Sequence, residues 1–199
     1  DLVQEDNYFF ALSKYEDRLI THIETNPKFI LPEARRNEIM GVLKAGLKDI
    51  SISRSSVEWG IPLPFDSSQN IYVWVEALCN YITALDYYEH GDLYHKFWPA
   101  NVHMMAKEII RFHVIIWPAM LMAVEHPLPE RIFAHGWMTK DGEKISKTTG
   151  NVIDIDGLID DFGLDPFRYF FMREFSFGSD GDYTQERFET RYNADLAND

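Results

Sequence analysis

The chain begins with apolar residues at helical spacing. Between residues 7 and 24 they recur at intervals of four, three, four and four, at Tyr8, Leu12, Tyr15, Leu19 and Ile23. This spacing puts all of them on one face and predicts an amphipathic helix. The pair Asn26-Pro27 would end it, because proline cannot continue a helix from its interior.

A regular alternation of strand and helix patterns follows in the middle of the chain. Residues 33–45 read as a second helix, residues 50–54 as a short strand and residues 62–68 as a proline- and serine-containing connector. From residue 70 the patterns are strand, helix, strand, helix, strand, over residues 71–75, 76–89, 101–105, 107–125 and 132–138. Such alternation is typical of parallel strands joined by right-handed helical crossovers, so the sequence predicts an α/β fold with half of a nucleotide-binding sheet. Helices are predicted again over residues 156–162, 166–175 and from 184 onwards, with a turn at 178–181.

Composition narrows the classes of function. The 199 residues are 46% hydrophobic, so the chain can bury a core as one domain, or as one domain and part of another. The formal net charge of -13 argues against general nucleic-acid binding, which needs clustered Lys and Arg. Any nucleic-acid contact is therefore expected to be local, and the short basic concentrations are Arg35-Arg36 and a lysine loop near residue 145.

The single cysteine and the hydropathy indicate a compartment. Cys79 alone can form neither an internal disulfide framework nor a cysteine-rich zinc site, and it fits a reducing environment. No apolar run reaches the roughly 18 to 20 residues needed to cross a bilayer. We expect no zinc site in this chain, no membrane partner, and a location in the cytoplasm or an organellar matrix.

The strongest chemical signal is a loop with two lysines and two small hydroxyls between Gly142 and Gly150. Its sequence is Lys144-Ile145-Ser146-Lys147-Thr148. Lysine ammonium groups act as point charges on phosphate oxygens, and hydroxyls can donate to the same oxygens. The loop follows the predicted strand 132–138, and ligands of parallel α/β sheets bind beyond the carboxyl ends of strands. Because similar strings occur in solvated loops, the motif favours a polyphosphate site only in this context.

The loop resembles the Lys-Met-Ser-Lys-Ser signature of class I aminoacyl-tRNA synthetases, which binds the triphosphate of ATP. Other segments are similar to the methionyl-tRNA synthetases in the same order along the chain. They are residues 8–15, 47–54, 59–62, 72–82, 107–113, 117–120 and 191–199. The resemblance is therefore collinear over nearly the whole chain, rather than confined to one motif.

The resemblance implies specific site residues. For methionine they are Trp74, Ala77, Leu78, Tyr81, Ile109 and His113. For ATP they are Ala106, Glu108, His135, Gly136, Met138, Lys144, Ser146, Lys147 and Thr148, of which Lys144 and Lys147 are the catalytic pair. Two segments depart from the family pattern: Ala106-Lys107-Glu108 stands for Gly-Lys-Asp, and Leu78 stands where many members carry proline.

The implied function is the ATP-dependent activation of methionine and its transfer to tRNA(Met), with Mg²⁺ expected to accompany ATP. Two alternatives remain open from the sequence. One is a class I synthetase for leucine, isoleucine, valine or cysteine, which share the sheet. The other is a non-catalytic, truncated paralogue that binds a partner or tRNA. The sequence leaves the oligomeric state undetermined.

The resemblance also implies how the chain is divided. The His-Ile-Gly-His type element of the family does not occur in it, so we expect an internal piece of a synthetase that is inactive when isolated. Residues 1–68 would end the connective insertion, and residues 69–138 would form the second half of a Rossmann-like parallel sheet with flanking helices. Residues 139–185 would carry the lysine loop and stem-contact region, and residues 186–199 would start the anticodon-binding helical bundle.

Overall fold

The computed structural model describes residues 5–89 and 91–197. The chain divides into two compact units, Asp1–Ala134 and His135–Asp199. Among the described residues, the first unit has two buried apolar clusters and the second unit has one.

The first unit contains five α-helices and eight strands among its described residues. The helices are α1 Glu16–Thr25, α2 Glu33–Lys44, α3 Val73–Thr83, α4 Asp92–Phe97 and α5 Trp117–Ala123. The strands are β1 Phe9–Phe10, β2 Ile30–Leu31, β3 Ile50–Ser51, β4 Ser53–Arg54, β5 Pro62–Leu63, β6 Asp66–Ile71, β7 His103–Ala106 and β8 Ile132–His135, whose last residue begins the second unit.

The central sheet of the first unit has the strand order β2-β8-β7. Strand β2 runs parallel to β8, with Ile30 opposite Ile132, and both side chains are fully buried. Helices α1, α2 and α5 contribute Leu19, Ile39 and Ala119 to the same apolar cluster. The predicted α/β class with a parallel sheet flanked by helices is therefore confirmed.

Three predicted elements of the first unit are corrected: the first helix, the strand over residues 71–75 and the connector over residues 62–68. The helix predicted over residues 7–24 begins only at Glu16, after a 3₁₀ turn at Leu12–Tyr15, because Phe9–Phe10 pairs with β3 instead. The strand predicted over residues 71–75 is wrong, since β6 ends at Ile71 and α3 starts at Val73. A short apolar run fits a strand or a buried helix equally well by periodicity alone, and here the helix forms.

Other predictions hold. The helix predicted over residues 33–45 is α2, and the strand predicted over residues 101–105 is β7. The helix predicted over residues 107–125 forms as a 3₁₀ turn at Lys107–Ile109, a π-helical turn at Phe112–Ile116 and then α5. The proposed connector 62–68 is instead part of an antiparallel sheet of order β4-β6-β5.

The second unit combines a small sheet with three helices. Its strands are β9 Met138–Lys140, β10 Glu143–Lys144 and β11 Gly181–Tyr183, and its helices are α6 Ile155–Phe162, α7 Leu164–Glu174 and α8 Gln185–Tyr192. The sheet order is β10-β9-β11, in which β9 is antiparallel to β10 and parallel to β11. Leu158, Phe170, Tyr183 and Phe188 form the buried cluster.

The strand predicted over residues 132–138 is divided at Gly136 and Trp137 into β8 and β9. The predicted four-part division stays a prediction: its limit between residues 68 and 69 falls inside β6, and residues 198 and 199 lie outside the described residues. Across residues 5–89 and 91–197, no helix is long and apolar enough to cross a membrane.

Candidate functional site

The predicted site residues fall into two groups, one in each unit. Helix α3 carries Trp74, Ala77, Leu78 and Tyr81, while Ala106, Glu108, Ile109 and His113 lie at the end of β7 and on the helical segment after it. The residues from His135 to Thr148 belong to the second unit.

In the first unit, α3 and the π-helical turn are joined through Tyr81 and His113. The hydroxyl of Tyr81 lies 2.8 Å from Nε2 of His113, and Nδ1 of His113 lies 3.0 Å from the carbonyl oxygen of Ile109. A carbonyl oxygen only accepts, so Nδ1 must carry the proton. In the neutral imidazole Nε2 is then the acceptor, and the Tyr81 hydroxyl donates to it. Two predicted pocket residues thus fix each other's orientation.

The proline that follows explains the unusual backbone beneath His113. Pro118 continues the helix from the π-helical turn at Phe112–Ile116, and the amide of Trp117 donates to the carbonyl of Phe112, five residues earlier. A proline inside an α-helix lacks the amide hydrogen and its ring clashes with the carbonyl four residues before it. The wider turn accommodates that ring, and π turns of this kind are frequent at functional sites.

Aromatic rings surround the Tyr81–His113 bond. The ring of Trp74 stacks on Phe112 with centroids 3.8 Å apart, and the ring of Tyr81 lies 4.1 Å from that of His103. Trp117 is 1% exposed, and its ring centroid is 6.3 Å from that of Tyr81. Sequence reasoning had not assigned a site role to His103, Phe112 or Trp117. The available signal for Phe112 and Trp117 was that one aromatic residue directly precedes His113 and another follows it four residues later, one helical turn on.

The ionisable groups of this cluster are held neutral. Burial lowers the pKa of His113, although the bond to the Ile109 carbonyl acts in the opposite direction. Burial, followed by the charge of a protonated His113, lowers the pKa of His103 to about 4. Burial also raises the pKa of Tyr81. Near neutral pH the cluster is therefore polar but uncharged.

The remaining predicted methionine residues differ in exposure. Leu78 is 1% exposed and packs in an apolar cluster with Trp117 and Leu121. Ala77 is exposed on α3, whereas Trp74 and Ile109 are half-buried. Leu78 therefore has a core-packing role whether or not it also borders a ligand.

At the carboxyl end of β7, Ala106 leads into the 3₁₀ turn that contains Glu108. Ala106 has φ of -76° and ψ of 154°, an extended conformation that any L-residue adopts. Alanine in place of the family's glycine therefore costs no backbone strain here. The side chain of Glu108 is exposed at the position where ligands of parallel sheets bind.

In the second unit, Gly136 is required by packing. A Cβ atom at this position would lie 2.0 Å from the carbonyl oxygen of Ser179, closer than any atoms can approach. The adjoining segments are held together by two hydrogen bonds, from the amide of Trp137 to Oδ1 of Asp180 and from the amide of Gly181 to the carbonyl of Trp137. The exposed His135 and Met138 lie on either side of this close contact.

The lysine loop is built on a tight hairpin. Lys140 pairs with Glu143, so Asp141 and Gly142 form a two-residue turn. Both have positive φ, 56° and 78°, as a type I′ turn requires, and Asp-Gly is a favoured sequence for it. This dipeptide was a hairpin signal that the sequence interpretation did not use.

Asp182 of β11 secures the same turn. Its Oδ1 accepts from the hydroxyl of Thr139 at 2.5 Å and from the amide of Gly142 at 2.8 Å. These two bonds, with the Thr139 bond the larger contribution, hold the pKa of Asp182 below its usual value. The carboxylate therefore stays ionised and keeps both bonds at neutral pH.

Lys144 and Lys147 project from this framework. Both side chains are exposed, and neither forms an ion pair with any residue that the structure describes. Ser146 is half-buried, with its amide donating to the carbonyl of Asn151 at 2.9 Å. Thr148 is exposed. The loop thus presents two ammonium groups and a hydroxyl to solvent, which suits a polyanionic ligand.

In residues 5–89 and 91–197, no three His, Cys, Asp or Glu side chains come together in a group that could hold a metal ion.

Comparison with known proteins gives consistent matches. A family model described as tRNA synthetases class I (M) matches residues 1–199. The methionine–tRNA ligase of Clostridium acetobutylicum is 56% identical over 198 residues, covering 98% of this chain and 31% of that protein. The methionine–tRNA ligase of Brucella suis is 54% identical over 197 residues, covering 99% of this chain and 38% of that protein.

A solved structure is also similar. It is Mycobacterium tuberculosis methionyl-tRNA synthetase in complex with methionyl-adenylate, which matches with a TM-score of 0.92 and 48% identity and covers 98% of this chain and 39% of that one. This chain therefore spans between 31% and 39% of the length of these relatives.

Proposed function

The chain belongs to the class I tRNA synthetases, in the family of the methionine–tRNA ligases, and we propose that it forms part of their adenylation site. In the full-length protein that contains it, methionine and ATP would react to methionyl-adenylate and pyrophosphate. The methionyl group would then pass to the terminal ribose of tRNA(Met). We place this activity in the cytoplasm or an organellar matrix, where charged tRNA is consumed.

The first unit would hold the amino acid. The uncharged Tyr81–His113 pair and the Trp74–Phe112 stack offer polarisable surfaces without a fixed charge. Such surroundings suit the methionine thioether, because sulfur-aromatic contacts each contribute only ~0.3 to 1.5 kcal/mol and need several partners. Ala77, Leu78 and Ile109 would shape the rest of the pocket, and its length and shape would set selectivity.

The ammonium groups of Lys144 and Lys147, which are exposed and form no ion pair with the residues that the structure describes, carry the proposal for the chemistry. A methionine carboxylate oxygen would attack the α-phosphorus of ATP, forming one P–O bond while the bond to the β-phosphate oxygen breaks. Negative charge then grows on the departing pyrophosphate. The two ammonium groups would neutralise that charge, with Ser146 and Thr148 as hydroxyl donors, so catalysis is positioning plus electrostatic stabilisation.

The rest of the nucleotide would lie against the ends of the strands. Glu108 would accept from a ribose hydroxyl near Ala106, and the segment His135, Gly136 and Met138 would contact adenine. Mg²⁺ is expected on the ATP phosphates themselves, since this ion commonly binds through substrate oxygens and waters. No grouping of described side chains fits a dedicated site for it, so no step is assigned to it.

The test is ATP–pyrophosphate exchange by the full-length protein with a panel of amino acids. We expect methionine to support exchange far better than leucine, isoleucine, valine or cysteine, in keeping with the methionine specificity in the relatives' names. Preference for another amino acid would contradict the pocket. No exchange with any amino acid would support the non-catalytic paralogue instead.

A further inference from the structure

Asn151 lies where the lysine loop rejoins the body of the second unit. Its side-chain nitrogen Nδ2 is 3.2 Å from the carbonyl oxygen of Lys140, 3.4 Å from that of Glu143 and 3.3 Å from that of Lys144. Its own carbonyl accepts the amide of Ser146 at 2.9 Å. One residue therefore contacts β9, β10 and the lysine motif together.

The donor and acceptor roles in these contacts follow from the chemistry of the partners. Carbonyl oxygens only accept, so the amide nitrogen must face them, and its two hydrogens are shared among three acceptors. The reverse orientation would point the side-chain oxygen of Asn151 at three other oxygens. The group is therefore a donor clamp, and no residue without a side-chain donor can replace it.

The three carbonyls mark the parts of the loop that must be aligned. Lys140 and Glu143 flank the two-residue turn, and Lys144 is the first lysine of the motif. The hydrogen bond from the amide of Ser146 to the backbone carbonyl of Asn151 also fixes the backbone next to Lys147. Without these bonds the exposed segment from Lys144 to Gly150 would be joined to the unit mainly at its ends.

We propose that Asn151 is a positioning residue that holds the lysine loop in the arrangement from which Lys144 and Lys147 act. In this role it would act through the backbone of the loop rather than on the substrate. The inference deepens the proposed function and rests on it for the catalytic readout, whereas the order of the loop can be measured independently of any activity.

The first measurement is limited trypsin digestion of the full-length protein, scored at Lys144 and Lys147 relative to cleavage after the exposed Lys48. Asn151→Ala should speed cleavage at both loop lysines about tenfold, since one net hydrogen bond is worth roughly that factor. Asn151→Asp, of nearly the same shape, should speed it further, because its carboxylate faces three carbonyl oxygens. Asn151→Ser, which keeps one shorter donor, should lie between the parent and Asn151→Ala.

The order of the variants separates a donor clamp from simple filling of space. If Asn151 only fills space, Asn151→Asp will be closer to the parent than Asn151→Ala, and the inference is overturned. Asn37→Asp on the exposed face of α2 adds the same charge in the first unit and should leave loop cleavage unchanged. Repeating the series at about 1 M salt, where the screening length is roughly 3 Å, removes attraction between the new carboxylate and nearby lysines.

The second measurement is single-turnover adenylation. Asn151→Ala should lower the rate about tenfold while the KM for methionine changes by less than about twofold, as expected when only transition-state alignment is lost. A changed methionine KM with an unchanged rate would overturn the inference. If the parent itself forms no adenylate, the proposed function fails, yet the order of cleavage rates still decides whether Asn151 holds the loop.

Discussion

The two candidate regions are organised by different forces. Around Tyr81 and His113, position is set by burial: His113 is 2% exposed, Trp117 is 1% exposed, and the Tyr81–His113 hydrogen bond and the Tyr81–Trp117 ring contact are internal. Around Lys144 and Lys147, the side chains proposed for catalysis are exposed, and only the backbone beneath them is fixed. From this difference we expect mutations in the first region to change stability and substrate binding together. Mutations in the second region should change only the rate of adenylation.

Lys147→Ala gives the largest expected effect and tests the second half of this comparison. Removing one preorganised electrostatic donor costs ~2.7 to 4 kcal/mol of transition-state stabilisation, so adenylation should slow by about two to three orders of magnitude. Because the side chain is exposed, the free energy of unfolding should stay within about 0.5 kcal/mol of the parent. The measurements are single-turnover adenylation and urea unfolding of the full-length protein, with Lys48→Ala as the exposed control.

A rate within twofold of the parent would mean that the loop is merely solvated. A large fall in methionine affinity with an unchanged rate would mean that the loop binds something other than the polyphosphate.

Acid should weaken the first region through His103. Its pKa is about 4 in the folded protein and 6.5 ordinarily, so both states are neutral above pH 6.5. Below that value His103 binds a proton in the unfolded chain but not yet in the folded one, so the free energy of unfolding decreases as the pH falls towards 4. The loss from this group is up to about 3 kcal/mol, and His103→Gln should remove it from the pH profile of unfolding.

Parallel profiles for the parent and His103→Gln would show that this imidazole is not protected from protonation.

Tyr81→Phe is expected to have the smallest effect and tests whether binding and stability are coupled in the first region. The change leaves Nε2 of the buried His113 without its donor, which costs ~1 to 3 kcal/mol. The free energy of unfolding should fall by that order, and the KM for methionine should rise several-fold while the KM for ATP is unchanged. Tyr88→Phe, at a side chain that is 89% exposed, is the matched control. Equal shifts in the KM values for methionine and ATP would contradict the expected coupling of stability and methionine binding, since they would mean that Tyr81 orients no methionine pocket.

The sequence predicted the family, the α/β class and the larger helices. These follow from long-range periodicity and from motifs that are spread over the whole chain. It misplaced the start of α3, because residues 71–75 are uniformly apolar and carry no period that separates a strand from a helix. The first predicted helix was too long for a different reason: pairing of Phe9–Phe10 with β3 is a long-range contact that overrides local preference.

The site was predictable to a different degree. The two lysines can be recognised in the sequence because they belong to the motif. The groups proposed to orient the site belong to no such motif. His103 and Trp117 are buried beside Tyr81, and the proposed role of Asn151 depends on three carbonyl groups brought together by a hairpin. Every residue carries a backbone carbonyl, so residue types do not show where three of them come together, and only the folded structure could indicate Asn151.

The π-helical turn before Pro118 makes this region sensitive to chain length. A π turn is an α-helix that carries one extra residue, so deleting one residue from Phe112–Ile116 would favour a return to ordinary helical spacing. The segments on either side would keep nearly the same rotation, because the π turn spreads its extra residue over one wider turn, but the ring of Pro118 would again meet the carbonyl four residues before it. A deletion would therefore disturb His113 and the proline contact before it changed the direction of the helix. Related chains that differ in length at this turn should differ in what they recognise, even where their helices align.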